Sequence, residues 1–112
     1  MIAIAATCLV ILLHYSFGLA ESVGWTQMAR RFGYDADATE KTRKLALNQG
    51  AYNAGVATVL GWALWAGQPG TVLALLVFIV AMAIVGAVTV RWTIFVLQGV
   101  PAVLAIVATL LG

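Results

Sequence analysis

Charged residues are scarce in this chain of 112 residues. They make up 9% of the sequence, whereas an average soluble domain contains about 25%. Hydrophobic residues account for 63%, and the mean hydropathy is +1.03. A soluble domain of this size exposes too much surface to hide so many apolar side chains. The composition therefore argues against soluble enzymes, nucleic-acid binders and disordered regulators, and it predicts a membrane protein.

Cysteine and histidine are each represented by a single residue, Cys8 and His14. Cys8 lies within an apolar run, so it provides neither a disulfide framework nor a pair of metal ligands. One histidine, one cysteine and one buried carboxylate are too few for a closed zinc site. We therefore expect no metal and no cofactor.

Most of the few charges are concentrated in one segment. Eight of the ten charged residues lie between positions 30 and 44, so the net charge of +2 describes that segment and not a basic face. Because acidic residues alternate with the basic ones there, the segment is a poor footprint for nucleic acid. Asp37 and Glu40, three residues apart, are typical of a helix N-terminus, which would place the start of the following helix among the lipid headgroups.

Four apolar segments are long enough to span a bilayer, which takes about 20 residues for a hydrocarbon core ~30 Å thick. They cover approximately residues 1–25, 49–66, 71–90 and 92–111, and a charged cytoplasmic loop covers about 26–47. Short connections force neighbouring helices to run antiparallel. The sequence therefore predicts an all-α polytopic membrane protein, with four transmembrane helices in an up-down-up-down bundle that forms a single domain over 1–112.

The distribution of Lys and Arg predicts the orientation of this bundle. Five of the six basic residues follow the first segment, and the sixth, Arg91, follows the third. Basic loops face the cytoplasm, and in a four-span topology these two loops share one side. Both termini are therefore expected outside the cytoplasm.

Polar side chains at membrane depth are few, and each is costly there unless it is paired. His14 and Glu21 lie seven residues apart, which places them on one helix face about 10 Å apart along the axis. Trp25 follows Glu21 by four residues and extends that face. The predicted site joins these three to polar residues of the other helices: His14, Glu21, Trp25, Asn48, Gln49, Tyr52, Asn53, Thr89 and Gln98.

The predicted topology gathers these residues in the cytoplasmic half of the bundle, with His14 deepest, whereas the opposite half is almost entirely aliphatic. This one-sided distribution predicts a polar pocket that opens to the cytoplasm. Several of these residues also have a structural interpretation. Asn53 and Gln98 could form interhelical hydrogen bonds, Glu21 could pair with Arg91, and His14 could bond to a backbone carbonyl.

The same polar residues lie in a longer pattern, which comprises His14 to Glu21 with Trp25, the run 48–53 (Asn-Gln-Gly-Ala-Tyr-Asn), Gly86 with Thr89, and the run 98–102 (Gln-Gly-Val-Pro-Ala). This pattern resembles the domain of unknown function 1304 family. It covers nearly the whole chain, but Ser22 to Gly24 stand where the family usually has Met and an aromatic residue. The resemblance implies a small four-helix bacterial membrane protein with no assigned activity. We therefore expect a multi-pass protein of the bacterial inner (cytoplasmic) membrane.

Three functions fit these observations. The first is binding or transport of a small polar or amphipathic molecule in the cytoplasm-facing pocket, with His14 and Glu21 as proton-responsive groups and with a homodimer as the expected state. The second is an intramembrane enzyme acting on a lipid or isoprenoid, with Glu21 or His14 as acid or base. The third is a structural or assembly subunit of a larger membrane complex. We favour the first function, because two helical turns separate His14 from Glu21. The expected partners are the lipid bilayer and a small-molecule or lipid ligand, and no nucleic acid is expected.

Overall fold

The computed structural model describes all 112 residues, and its regular structure is entirely helical. This confirms the predicted all-α fold. There are five α-helices and one turn of π-helix. They are α1 (Ile2–Ser22), α2 (Trp25–Arg31), α3 (Ala36–Trp65), α4 (Pro69–Thr89), the π-helical turn (Phe95–Gly99) and α5 (Val100–Leu111).

The first helix is shorter than the predicted span 1–25. It ends at Ser22, whose hydroxyl donates to the Gly18 carbonyl at 2.6 Å. The backbone N–H groups of Val23 and Gly24 both donate to the Leu19 carbonyl, so the chain leaves the helix through a tight turn. Helix α2 begins directly afterwards at Trp25. Trp25 therefore belongs to a different helix from Glu21 and does not extend its face, contrary to the sequence prediction.

Helix α3 is the longest element, at 30 residues, and it begins much earlier than the predicted position 49. Its N-cap is Asp35, whose side chain accepts a hydrogen bond from the Ala38 backbone N–H at 2.8 Å. An aspartate in this position satisfies one of the free N–H groups of the first turn. Together, α2 and the start of α3 make the predicted loop 26–47 largely helical, and this is a correction to the sequence-based boundaries.

The turn between α3 and α4 contains Gly67, which adopts a left-handed φ of +65°. Glycine reaches this conformation without the steric cost that a Cβ would impose. Pro69 then starts α4, where its fixed φ is suitable and its missing N–H costs no hydrogen bond. The helix runs to Thr89, within two residues of the predicted span 71–90 at each end.

The last apolar segment is helical from Thr93, one residue after the predicted position 92, and the π-helical turn Phe95–Gly99 follows directly. The Val100 N–H donates to the Phe95 carbonyl, five residues earlier. Pro101 has no N–H. It therefore cannot donate a hydrogen bond to the backbone carbonyl of Leu97, as an α-helix would require, or to that of Val96, as a π-helix would require. The wider turn therefore lies where proline already interrupts the hydrogen-bond ladder.

Helix α1 packs against α3 and α5, and α4 packs against α5, the π-helical turn and α3. One apolar core fills the end of the bundle that holds the α3–α4 turn, and it includes Val10, Leu60 and Leu76. A smaller cluster around Trp25 and Ala46 joins α2 to α3. Along both α1 and α3, the polar residues of the site lie between these two clusters.

Two of the helices, α1 and α4, are long and apolar enough to cross a membrane, by length and composition. The apolar segment Phe95–Leu111 is shorter. The structure therefore agrees with a helical protein that has two membrane-capable helices, which is a coarser statement than the four spans predicted from the sequence.

Candidate functional site

Glu21 on α1 and Asn53 on α3 form the central polar contact of the bundle. The Asn53 side-chain amide donates to one carboxylate oxygen of Glu21. Asn53 is only 6% exposed, and Glu21 is half-buried. Among the predicted site residues, Glu21 and Asn53 are the only two that are joined to each other by a hydrogen bond. The second Glu21 oxygen bonds to no other protein group, so the pair can still accept a hydrogen bond.

Gly50 brings the backbone of α3 close to α1 beside this pair. A Cβ added at Gly50 would lie 2.5 Å from the Ser22 hydroxyl and 3.3 Å from the Cβ of Glu21. The absence of a side chain at position 50 therefore lets Glu21 approach α3 closely enough to reach Asn53. Residue 50 is part of the run 48–53 that the sequence singled out, and its role is geometric.

His14 lies one helical turn N-terminal to Gly18 on the buried face of α1 and is 3% exposed. Its Nδ1 contacts the Val10 carbonyl at 2.9 Å, and the edge of its ring packs against Phe17. If Nδ1 carries the proton and donates to this carbonyl, Nε2 is an acceptor. Nε2 makes no hydrogen bond to the protein. Every side-chain nitrogen or oxygen that is completely buried, by contrast, has a hydrogen-bond partner. Nε2 therefore keeps a small contact with the exterior.

Trp25 is buried, and it joins α2 to α3. Its indole N–H lies 3.1 Å from the Thr42 hydroxyl and 3.3 Å from the Thr39 carbonyl. The rings of Phe32 and Tyr34 pack around it at centroid distances of 6.3 and 6.1 Å. These contacts satisfy the tryptophan fully within the protein, so its observed role is to hold α2 against α3.

The remaining predicted site residues are not gathered around Glu21 by any hydrogen bond. On α3, three of them are exposed: Asn48, Gln49 and Tyr52. Thr89 is also exposed and donates to the Val85 carbonyl of its own helix at 2.7 Å. Gln98 is half-buried in the π-helical turn, which packs against α1, and its amide makes no hydrogen bond to the protein.

A groove of about 450 Å³ runs between α1 and α3 next to the Glu21–Asn53 pair. It is lined by Tyr15, Gly18, Leu19, Ser22, Gly50, Ala51 and Ala54. Its walls are small or apolar, and the hydroxyls of Tyr15 and Ser22 mark its two ends along α1. A second groove, of about 400 Å³, lies between α3 and α4, and Tyr52 is the only predicted site residue that lines either groove.

Sequence reasoning missed the second side-chain link between α1 and α3. The Tyr15 and Thr58 hydroxyls are 2.7 Å apart, and Thr58 also donates to the Ala54 carbonyl. Neither residue is unusual for an apolar helix. The available signal was the spacing of Tyr15, Gly18 and Ser22, which share a face adjacent to that of His14 and Glu21.

The charged end of the bundle contains two ion pairs within α3. Lys41 Nζ lies 2.8 Å from Asp37, and Arg43 lies 2.7 Å from Glu40. The hydrogen bond and the charge of Arg43 lower the pKa of the exposed Glu40 carboxyl below its ordinary value. Arg91 does not pair with Glu21, which was one sequence-based interpretation. Its guanidinium instead donates to the Arg31 backbone carbonyl at 3.1 Å.

No cluster of three or more His, Cys, Asp or Glu side chains is close enough to hold a metal ion.

The fold and the site together describe a small all-α protein with two membrane-capable helices and a buried carboxylate–amide pair between α1 and α3. The chain belongs to the family described as "Protein of unknown function (DUF1304)", whose model matches residues 8–110. No curated protein and no solved structure matches the chain.

Proposed function

We propose that the protein is a four-span integral protein of the bacterial inner membrane that binds a small amphipathic molecule in the groove between α1 and α3. The proposal has two parts, the topology and the ligand. Each part is supported by different observations and is tested separately.

The exposed surface of the bundle supports a membrane location. Large apolar side chains cover the outside of every long helix, as illustrated by Leu12 at 64% exposure and Val88 at 82%. In α1 and α4 only 22% of the most apolar stretch is buried. A core helix of a soluble protein would be mostly buried, and an exposed apolar surface this extensive needs lipid or protein to cover it.

Helix α3 and the segment Phe95–Leu111 complete the four proposed spans. After its charged first turns, α3 continues from Leu45 to Trp65 with no charged residue. Asn48, Gln49 and Asn53 reduce its hydropathy, and these are residues of the predicted site. Of these three residues, Asn53 is buried against α1, as is usual for a polar side chain within a membrane-spanning helix.

The contact between Arg91 and Arg31 supports the proposed orientation. It joins the last residue of α2 to the segment after α4, although 60 residues separate Arg31 from Arg91 in the chain. The two basic regions therefore lie at the same end of the bundle, as required if both face the cytoplasm. In this topology both termini lie on the opposite side.

Labelling of single cysteines in intact cells tests the topology. In a Cys8→Ala background, Gln68→Cys in the α3–α4 turn should react with a membrane-impermeant maleimide. Lys44→Cys at the charged end should react only after the cells are opened. Labelling of Lys44→Cys in intact cells together with protection of Gln68→Cys would reverse the orientation. Equal labelling of both sites in intact cells would reject the four-span arrangement.

The observation that carries the ligand proposal is the position of the groove relative to the Glu21–Asn53 pair. Gly50 lines the groove, and a Cβ added to Gly50 would lie 3.3 Å from the Cβ of Glu21. The apolar part of a ligand would occupy the groove, and its polar group would bond to the free oxygen of Glu21 at the cytoplasmic end. Concave, mainly apolar sites with a few polar groups are typical of ligand sites.

No observation favours the enzyme over the binding protein. His14 contacts a carbonyl of its own helix, and Glu21 bonds to Asn53. The two groups therefore bond to different partners, whereas acid–base catalysis would require both to reach one reacting atom.

Native mass spectrometry of the intact protein in a mild detergent tests the ligand proposal. The wild type should retain non-protein mass, and Glu21→Gln should lose most of it. Glu40→Gln is the matched control because Glu40 is an exposed glutamate at the charged end. Equal retention by all three proteins would reject a role for Glu21. The absence of any adduct on the wild type would favour the assembly subunit, and the same spectra will show whether the protein is a dimer, as we expect.

A second variant tests the groove directly. Ala54→Leu places a larger side chain in the groove, whereas Ala74→Leu makes the same change on the exposed surface of α4. The adduct should be lost in the first variant and kept in the second. Retention of the adduct by Ala54→Leu would place the ligand elsewhere on the protein.

A further inference from the structure

A group of basic residues without acidic partners lies at the charged end of the bundle. All four acidic side chains of the chain are already engaged: Glu21 by Asn53, Asp35 by the N-terminus of α3, Asp37 by Lys41, and Glu40 by Arg43. Only two of the six basic residues therefore form ion pairs. The other four have none, and they are Arg30, Arg31, Lys44 and Arg91.

The fold brings Arg91 to the turn of α2 that holds Arg30 and Arg31, which lies far from it in the chain. Arg30 and Arg31 form the last turn of α2, and Arg91 lies in the segment after α4. The Arg91 guanidinium bonds to the Arg31 backbone carbonyl at 3.1 Å, and all three residues are exposed. A backbone carbonyl does not neutralise a guanidinium, so the positive charge of this group remains available to a ligand.

The surroundings of the group are those of a membrane interface. Trp92 follows Arg91 and is 69% exposed, and Val88 and Val90 before it are also exposed. Tryptophan is enriched at the level of the lipid headgroups. Arg91 therefore lies where apolar and charged surfaces of the protein meet, and arginine binds phosphate through a planar set of donors.

We propose that Arg30, Arg31 and Arg91 form a binding site for the phosphate of an anionic phospholipid headgroup on the cytoplasmic leaflet. The site rests on the proposed membrane topology and not on the ligand of the α1–α3 groove. Such a lipid would join α2 to the segment after α4 at the membrane surface. The shared chemistry is a phosphate with net negative charge, and the position beside exposed apolar residues selects the lipid over free phosphate.

The experiment measures lipid binding to the intact protein in mild detergent by native mass spectrometry, with phosphatidylglycerol as the anionic probe and phosphatidylcholine as the zwitterionic one. The wild type should bind phosphatidylglycerol in preference to phosphatidylcholine. Arg31→Gln/Arg91→Gln should weaken that binding by about 25-fold, at about fivefold for each basic residue. Binding of phosphatidylcholine should not change.

The matched control is Lys41→Gln/Arg43→Gln, which removes the same number of positive charges from the same end of the bundle. These two residues are already paired with acids, so we expect no more than a twofold effect. An equal loss in both double variants would show that only the total charge matters and would overturn the site. No loss in Arg31→Gln/Arg91→Gln would overturn it as well. Binding of inorganic phosphate by the wild type without any preference for phosphatidylglycerol over phosphatidylcholine would assign the site to free phosphate and overturn the lipid proposal.

Arg31→Gln alone guards against misfolding of the double variant. Arg91 bonds to the backbone of residue 31, so this substitution keeps the hydrogen bond between the two segments. It should still weaken phosphatidylglycerol binding about fivefold, and unchanged binding would reject the proposal. Glu21→Gln should leave lipid binding at this site intact, so failure of the groove proposal and failure of this one give different results.

Discussion

Gly18 of α1 and Gly50 of α3 bring the backbones of their two helices into close approach. A Cβ added at Gly18 would lie 2.9 Å from the Gly50 carbonyl oxygen, and one added at Gly50 would lie 2.8 Å from that of Gly18. In membranes, small residues allow such close packing, which compensates for the weak hydrophobic driving force between helices. This crossing sets the distance between α1 and α3 at which Glu21 reaches Asn53.

Gly50→Ala should destabilise the bundle by about 1–3 kcal/mol, the usual cost of adding a methyl group to a packed interior. The new Cβ would meet a backbone oxygen and the Ser22 hydroxyl, and the backbone cannot move aside without separating the helices. Thermal unfolding in detergent, followed by circular dichroism, measures the effect.

Gly55→Ala is the control for this substitution. Gly55 lies in the same helix, and nothing lies within 4 Å of a Cβ placed there. Alanine favours a helix over glycine by roughly 0.5–1 kcal/mol, so the control should be neutral or slightly stabilised. If both variants melt at the same temperature, the Gly18–Gly50 crossing does not determine the stability of the bundle.

The all-α fold could be predicted because it depends on composition and on the length of apolar runs. The helix boundaries were less accurate around the charged segment. There, local features decide the outcome, namely the Asp35 cap, the tight turn after Ser22, and the indole of Trp25 bonded to α3. Apolar periodicity does not report these features, and the charge density of the segment suggested a loop.

The candidate site could be predicted only in part. His14 and Asn53 are buried, and Glu21 bonds to Asn53, because polar groups in an apolar helix turn inwards to find partners. Asn48 and Gln49 are exposed because α3 presents one buried face, and the rotation of that face follows from the packing at Gly50. A single sequence does not reveal which of several polar residues on one helix faces inwards.

Trp25→Phe should loosen α2 from α3. The substitution keeps most of the aromatic packing with Phe32 and Tyr34 but removes the N–H that donates to Thr39 and Thr42. Hydrogen exchange measured by mass spectrometry should be faster across residues 25–31, consistent with a loss of about 1 kcal/mol for one hydrogen bond. Trp92→Phe, at an exposed tryptophan, should leave this exchange unchanged. Equal exchange in the wild type and in Trp25→Phe would show that the indole hydrogen bond does not hold α2 against α3.

The Glu40 carboxyl should titrate below its ordinary pKa in the folded protein, because Arg43 stabilises the charged form. A lowered pKa in the folded state means that the stabilisation is present above the pKa of the unfolded chain, and that it is lost as the pH falls through the folded value. NMR of the side-chain carboxyl should give a higher midpoint in Arg43→Gln than in the wild type. Lys41→Gln, which removes a cation paired with Asp37, should not shift it, and equal midpoints in all three proteins would contradict the prediction.

The Glu21–Asn53 pair should show a favourable coupling in a double-mutant cycle. Asn53→Ala leaves the half-buried carboxylate of Glu21 without its donor, and a hydrogen bond to a charged group contributes about 1.5–3 kcal/mol in water-soluble proteins. Interhelical bonds in membranes average about 0.6 kcal/mol, so we expect a coupling of about 1 kcal/mol from thermal unfolding of Glu21→Ala, Asn53→Ala and the double variant. Asn48→Ala, at an exposed amide on the same helix, should show no coupling to Glu21. A coupling near zero for Asn53 would mean that the two side chains contact each other without stabilising the bundle, which would leave Glu21 free to bond to a ligand instead.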